Sequence, residues 1–256
     1  MEFVKDIGKF FRRLKRYDRR YFRNKYYDSI PRKVVESRLA SARFEKKYPE
    51  LSRNFQRDWA DARERLLPHY EEYVSSVSND IMAASLEVSV LLLLCCEFFR
   101  PRRILDLGSG FSSFVFRFHM ETANPRPTVV SVDDSDEWLI KTGSYLKGKN
   151  IGTDDLIPWK NFAGMAMDPF DLVFYDLGGF DFRKDTFDKV TRMVSREGVL
   201  IIDDMHSADY GIFVKGNMDR NKMKYYSLRE YTNDGFGRFS FIAHHDDERA
   251  PKVPKG

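Results

Sequence analysis

The sequence has little cysteine. Its 256 residues include two, Cys95 and Cys96, adjacent and inside an apolar run. Neighbouring cysteines rarely bridge one another, so neither a disulfide framework nor a cysteine metal cluster is expected. A reducing, cytoplasmic compartment fits that usage. The first residues lack an uninterrupted apolar core followed by a small-residue cleavage site, so no secretory signal is expected either. Internal repeats and low-complexity blocks are absent from the sequence. The longest apolar run, Ile81 to Phe99, is interrupted by Glu87 and Glu97, diluted by Ser85 and Ser89, and followed at once by Arg100, Arg102 and Arg103. It reads as a buried helix on a sheet, with Cys95 and Cys96 as small core residues, rather than as a membrane span.

Apolar residues at 42% and 22 phenylalanines suffice for one large domain, alone or with a small appendage. The charge is uneven. Residues 1–33 carry twelve Lys/Arg and four Asp/Glu, a net of +8, so the overall +4 leaves the remainder at −4. Phe3, Ile7, Phe10, Phe11 and Leu14 recur at helical spacing among Lys5, Lys9, Arg12, Arg13, Lys15 and Arg16. Such a basic amphipathic helix, within residues 1–30, could lie on an anionic membrane surface, making the protein peripheral. Alternatively it docks its Phe stripe on this protein or on a second copy, as a homo-oligomer. Tyr17, Tyr21, Phe22, Tyr26 and Tyr27 interleave with further Arg and Lys, but the cluster is short and has no recognisable module behind it, which disfavours nucleic acid. Pro31 marks a break, and residues 33–66 read as charged helix punctuated by Pro49 and Pro68. Residues 1–80 thus read as a basic, helical N-terminal extension or cap.

Beyond Arg103 the pattern changes to short strands separated by helices. Ile104, Leu105 and Leu107 form an apolar strand that carries Asp106 and runs into Gly108-Ser109-Gly110 and then Phe111-Ser112-Ser113. A strand, a glycine turn and a helix start create a nucleotide-type crevice. The dinucleotide fingerprint wants a third glycine where Ser113 stands, which disfavours a nicotinamide-dependent oxidoreductase. Pro127 to Asp134 form a second, β-branched strand ending in two acids, Asp133 and Asp134. Asp133 lies 23 residues after Gly110, near the spacing of a ribose-binding acid. A helix from Glu137 to Leu146 follows, with Trp138 either near a base or packing the helix. Residues 154–162 hold the third strand. Phe170 to Tyr175 form a fourth strand ending in Asp176, and a helix over 187–194 follows. Gly198 to Asp204 form a fifth, ending in Asp203 and Asp204, two residues before His206. Ligands in open α/β sheets sit beyond the carboxyl ends of the strands, and an acid ends each of these four. His69, His119, His244 and His245 lie away from that edge. Met223–Thr232 and Arg238–His245 read as hairpin strands around Asn233-Asp234-Gly235-Phe236-Gly237. Ser207–Asn221 is expected as a mobile lid, and residues 246–256 as a flexible tail.

With these residues, the stretch from about 80 to 245 resembles the class I S-adenosylmethionine (SAM) dependent methyltransferases. The resemblance rests on Asp106-x-Gly108-x-Gly110, the strand-end acids and the closing hairpin. It implies a seven-stranded, mostly parallel Rossmann-like sheet in residues 81–245, with Asp106, Gly108, Gly110, Phe111, Ser112, Asp133 and Asp134 toward SAM. The strand-end acids are closest to those of metal-dependent small-molecule O-methyltransferases. That likeness implies methyl transfer to a hydroxyl of a sugar or secondary metabolite. Asp176, Asp203 and Asp204 would then be candidate Mg²⁺ ligands, and His206 with Asp176 candidate catalytic groups. The Asn/Asp-Pro-Pro-aromatic signature of amino-methylating nucleic-acid enzymes is missing, since the fourth strand ends in Asp-Leu-Gly-Gly. A non-catalytic binding module of the same fold, recruited to membrane by its arm, is a further alternative.

Overall fold

Apolar runs bounded by glycine, proline and acids become strands because their side chains can be buried on both faces of a pleated sheet. The computed structural model describes residues 43–49, 55–153 and 155–246. Its strands are β1 (Arg103–Leu107), β2 (Thr128–Asp133), β3 (Leu156–Pro158), β4 (Phe170–Tyr175), β5 (Val194–Ile202), β6 (Met223–Ser227) and β7 (Phe241–His245). Its helices are α1 (Phe55–Ser76), α2 (Leu86–Phe99), α3 (Phe111–Thr122), α4 (Asp136–Gly148), the single turn α5 (Trp159–Phe162), α6 (Phe180–Met193), α7 (Ala208–Arg220) and the single turn α8 (Arg229–Thr232).

The seven strands form one sheet in the order β3-β2-β1-β4-β5-β7-β6. Strands β1 to β5 run parallel to their neighbours. β7 enters antiparallel between β5 and β6. The expected mostly parallel sheet with an antiparallel C-terminal pair is therefore present. Parallel neighbours need crossover connections, and α3, α4 and α6 supply them. The chain proceeds outward from β1 through β2 to β3, then returns to place β4 on the other side of β1. This reversal opens a crevice beyond the carboxyl ends of β1 and β4.

Alternation along each strand sorts its residues between two cores. Ile104, Leu172, Phe174, Val199 and Ile201 face the side covered by α1, α2, α3 and α4. Leu105, Leu107, Val173, Leu200 and Ile202 face the side covered by α6 and α7. α2 is buried from Val88 to Cys96, as a helix apolar on every side along that stretch must be. Its start is fixed by Ser85, whose Oγ accepts the Val88 N–H at 3.2 Å. Cys95 and Cys96 are buried free thiols, and burial pushes Cys95 up to about 12. Among the described residues no helix is long and apolar enough to cross a membrane.

The sequence reading needs three local corrections. Pro68 lies inside α1 rather than ending a helix. Ser207–Asn221 is no lid: Tyr210, Val214 and Met218 form an i, i+4, i+8 stripe that buries α7 in the second core. The C-terminal pair is not a tight hairpin either, because residues 229–232 turn into α8 and the connection reaches Phe241. Thr232 Oγ1 binds the Leu228 carbonyl and accepts the Ser240 N–H, which folds that connection back on itself. The basic stretch expected at 1–30, the helix start at 33–42 and the tail from 247 lie outside the described residues.

Candidate functional site

The crevice holds a cavity of about 460 Å³, within the usual range for a small-molecule site. Gly108, Gly110, Phe111, Ser112, Asp133, Asp134, Asp176, Asp203, Asp204 and His206 all line it. Ten of the eleven residues singled out from the sequence thus meet in one space. They come from four strand ends, so the sheet rather than any single loop assembles them.

Asp106 is the exception, and here the sequence reading is corrected. It is completely buried, and its carboxylate faces α3 instead of the cavity. It accepts hydrogen bonds from the hydroxyls of Ser112 (2.8 Å) and Ser113 (2.5 Å). Burial raises its pKa, against the pull of those two hydroxyls. Asp106 therefore acts through the two serines, holding the start of α3 against β1. Ser113 Oγ also accepts the Gly110 N–H at 3.2 Å. Beneath this network Arg117, buried in α3, donates to the Ser113 carbonyl and to Ser131 Oγ.

Glycine is required at two points of the floor. Gly108 has φ +106°, and a Cβ there would lie 2.6 Å from the Asp176 carbonyl oxygen. Loop and β4 end could not approach with any other residue. Gly178 has φ +61°, and a Cβ would lie 2.8 Å from Asp134 Oδ2. Asp134 thus reaches across to the β4–α6 loop.

Asp133 ties two loops together. Its Oδ2 accepts the Ser109 N–H (2.6 Å) and Ser109 hydroxyl (3.0 Å), and its Oδ1 accepts the Ser135 N–H (2.9 Å). A carboxylate has about four acceptor positions, so one remains, on Oδ1. Burial pushes its pKa up to about 6 despite these donors. Trp138, in the first turn of α4, lines the same wall.

On the opposite wall the acids are engaged by a residue that the sequence reading passed over. Arg183, in α6, is buried. Its Nη2 lies 2.6 Å from Asp176 Oδ1, and its Nη1 lies 3.4 Å from Asp204 Oδ2. Its Nε donates to the carbonyls of Leu177 and Gly178, and Nη2 also to that of Asp176. The rings of Phe180 and Tyr210 flank the guanidinium at 5.6 and 6.0 Å. Burial works against the Arg183 charge, but Asp176 and Asp204 outweigh it and keep it protonated. Burial raises Asp176 against the pull of Arg183, with Asp203 and Asp204 adding to the rise. Asp203, buried and accepting the Ser240 hydroxyl at 2.8 Å, is pushed by burial up to about 6. A signal for Arg183 did exist: Arg183, Phe187 and Val190 stand at i, i+4 and i+7 on the buried face of α6. An arginine in an apolar stripe implies a buried partner of opposite charge.

Asp204 takes φ +59°, a left-handed conformation that Asp tolerates better than most residues. Its Oδ1 lies 3.3 Å from His206 Nδ1. Arg183, Asp204 and His206 form a connected row along the cavity wall. The other histidines do not line the cavity.

The expected Mg²⁺ set does not fit this arrangement. A hard divalent ion needs several oxygens turned toward one point. Here Asp176 and Asp204 are turned toward a guanidinium, and Asp203 toward Ser240. No group of three His, Cys, Asp or Glu among the described residues is arranged to hold a metal ion.

Arg238, also unanticipated, lines the cavity. Its guanidinium binds Asp234 Oδ2 (2.6 Å) and the carbonyls of Asp80, Ile81 and Ala83. The loop before β7 is thereby fastened to the turn before α2.

In sequence the chain matches no family model and no curated protein. In structure it is similar to the SAH-bound Podospora anserina methyltransferase PaMTH1 at TM-score 0.57 and 15% identity, over 71% of this chain and 88% of that one. It is also similar to a Bacillus cereus O-methyltransferase in complex with SAH, at TM-score 0.53 and 15% identity, over 72% and 89% of the two chains. A third likeness is to the O-methyltransferase TomG from Streptomyces achromogenes, involved in tomaymycin synthesis and in complex with SAM, at TM-score 0.51 and 16% identity, over 73% and 87%. At such identities the likeness is one of architecture, and the chain has the fold of the class I SAM-dependent methyltransferases.

Proposed function

We propose that this chain transfers the methyl group of SAM to a hydroxyl oxygen of a small molecule, a sugar or other secondary metabolite. The observation that carries the proposal is the shared cavity. Its one wall offers the Gly108–Ser112 loop, Asp133, Asp134 and Trp138, and its other wall offers Asp176, Asp203, Asp204 and His206.

The first wall suits a nucleoside. Backbone at the start of α3 allows close approach, the free acceptor position of Asp133 and the carboxylate of Asp134 can take ribose hydroxyls, and Trp138 offers a flat apolar face. An acidic cavity favours a cationic sulfonium by Coulomb attraction. When bound, SAM supplies a methyl group that leaves its sulfur as the acceptor oxygen attacks in line. The second wall must then take the hydroxyl proton. His206 is the general base in this reading: its imidazole accepts the proton as the oxygen–carbon bond forms and the carbon–sulfur bond breaks. Asp204, beside Nδ1, orients the ring and stabilises the resulting imidazolium. No step in this scheme draws on a metal ion.

The test is a calorimetric titration of SAM into EDTA-treated protein, repeated with Mg²⁺. The expected result is the same SAM affinity in both. Absence of SAM binding overturns the reading, and heat from NAD instead points to the oxidoreductase alternative. Transfer of label from SAM to a panel of sugars and hydroxylated metabolites then separates an enzyme from a non-catalytic binding module. With an acceptor in hand, His206→Ala is expected to keep SAM affinity and lose transfer by about 10²–10⁴-fold.

A further inference from the structure

Three carboxylates, Asp176, Asp203 and Asp204, end two adjacent strands, β4 and β5, at one edge of the sheet. Left alone they would repel one another, and in that arrangement they would attract a divalent ion. The positive charge they meet instead is built into the chain. Arg183 lies 2.6 Å from Asp176 and 3.4 Å from Asp204, and its side chain is 6% exposed. It is not a surface arginine that swings in. Three backbone carbonyls of the 176–178 loop hold its Nε and Nη2, and two aromatic rings flank it. A planar guanidinium fixed by that many acceptors cannot move aside cheaply, and a cation entering between the carboxylates would meet its charge.

We propose that Arg183 is an internal replacement for a divalent cation: it holds Asp176 and Asp204 in the positions that ligands would take, and through Asp204 it sets His206. It is a positioning residue. The chemical consequence, methyl transfer without metal, rests on the function proposed above, whereas the measurement below reads metal alone and stands or falls separately. Removing the guanidinium should convert the site. With Arg183→Met, which keeps much of the length and removes the charge, Asp176 and Asp204 become free to turn toward an ion.

The experiment uses full-length, EDTA-stripped protein and titrates Mn²⁺, followed by water-proton relaxation, with Mg²⁺ as competitor. Wild type and Arg183→Lys, which retains a positive charge, are expected to show no site. Arg183→Met is expected to gain one Mn²⁺ site, at least about ten-fold tighter than any wild-type binding. That site should be displaced by Mg²⁺ and abolished by adding Asp204→Asn. A purely structural role for Arg183 would lower thermal stability in Arg183→Met without creating this signal. Stoichiometric Mn²⁺ binding to wild type that disappears in Asp176→Asn overturns the proposal. So does a folded Arg183→Met that binds no Mn²⁺. If Arg183→Met does not fold, Arg183→Gln is read in the same way, and the wild-type titration keeps its power to refute.

Discussion

Asp133 and Asp203 are carboxylates kept out of water, and burial raises the pKa of each. In an unfolded chain each would lose its proton near pH 4. The folded chain keeps the proton to about pH 6 at Asp133 and Asp203. Over that interval the folded state binds more protons than the unfolded state. The contribution of these groups to stability is therefore full below about pH 4 and is lost as pH rises through their folded values. The melting temperature of the ligand-free protein is expected to fall between about pH 5 and pH 8. The fall should be shallower in Asp203→Asn, measured by scanning calorimetry across that range. Parallel slopes would show that Asp203 does not titrate there. SAM affinity should run the other way, because a sulfonium prefers ionised acids. It is expected to rise through pH 6, and that rise should be lost in Asp133→Asn.

At the level of elements, the β1–α3 connection is the most constrained. Gly108 sits at φ +106° with the Asp176 backbone against it, so the turn depends on β4 as much as on its own sequence. Gly108→Ala combines an unfavourable φ with a contact that backbone atoms cannot yield. It is expected to cost about 2–4 kcal/mol of stability and to abolish SAM binding. Denaturant titration and calorimetry check both effects. A stable variant with unchanged SAM affinity would mean that loop and β4 can separate without harm. The end of β5 is constrained in the same manner: Asp204 holds a left-handed conformation where its carboxylate spans Arg183 and His206.

For the molecule as a whole, two distant stretches that line the cavity are fastened to one another. Arg238 joins the loop before β7 to carbonyls of residues 80, 81 and 83, more than 150 positions away in the chain. It also holds Asp234, which shapes that loop by accepting the N–H groups of Phe236 and Arg238. Arg238→Ala is expected to raise amide exchange in residues 80–84 and 233–240 together, while β1, β4 and β5 stay protected. SAM affinity should fall by about ten-fold, because the two stretches lining the cavity are no longer held together. Exchange rising in only one of the two stretches would show that they are held independently.

The strands, their acidic ends and their common edge were legible in the sequence. Burial on both faces demands continuous apolar runs such as Leu172-Val173-Phe174, and the residue that leaves such a run faces the crevice. The glycine turn was legible too, because Gly108 needs a conformation that other residues rarely take. Local pattern could not tell Asp106, turned into α3, from Asp133, turned to the cavity: both stand at or near the end of an apolar strand, and only the pleat and the neighbouring serines separate them. It also could not assign Arg183 and Arg238. Periodicity reports burial along one element, whereas the worth of a charge depends on which elements meet it. The meeting of α6 with β4 and β5, and of the loop before β7 with the turn before α2, is a property of tertiary structure alone.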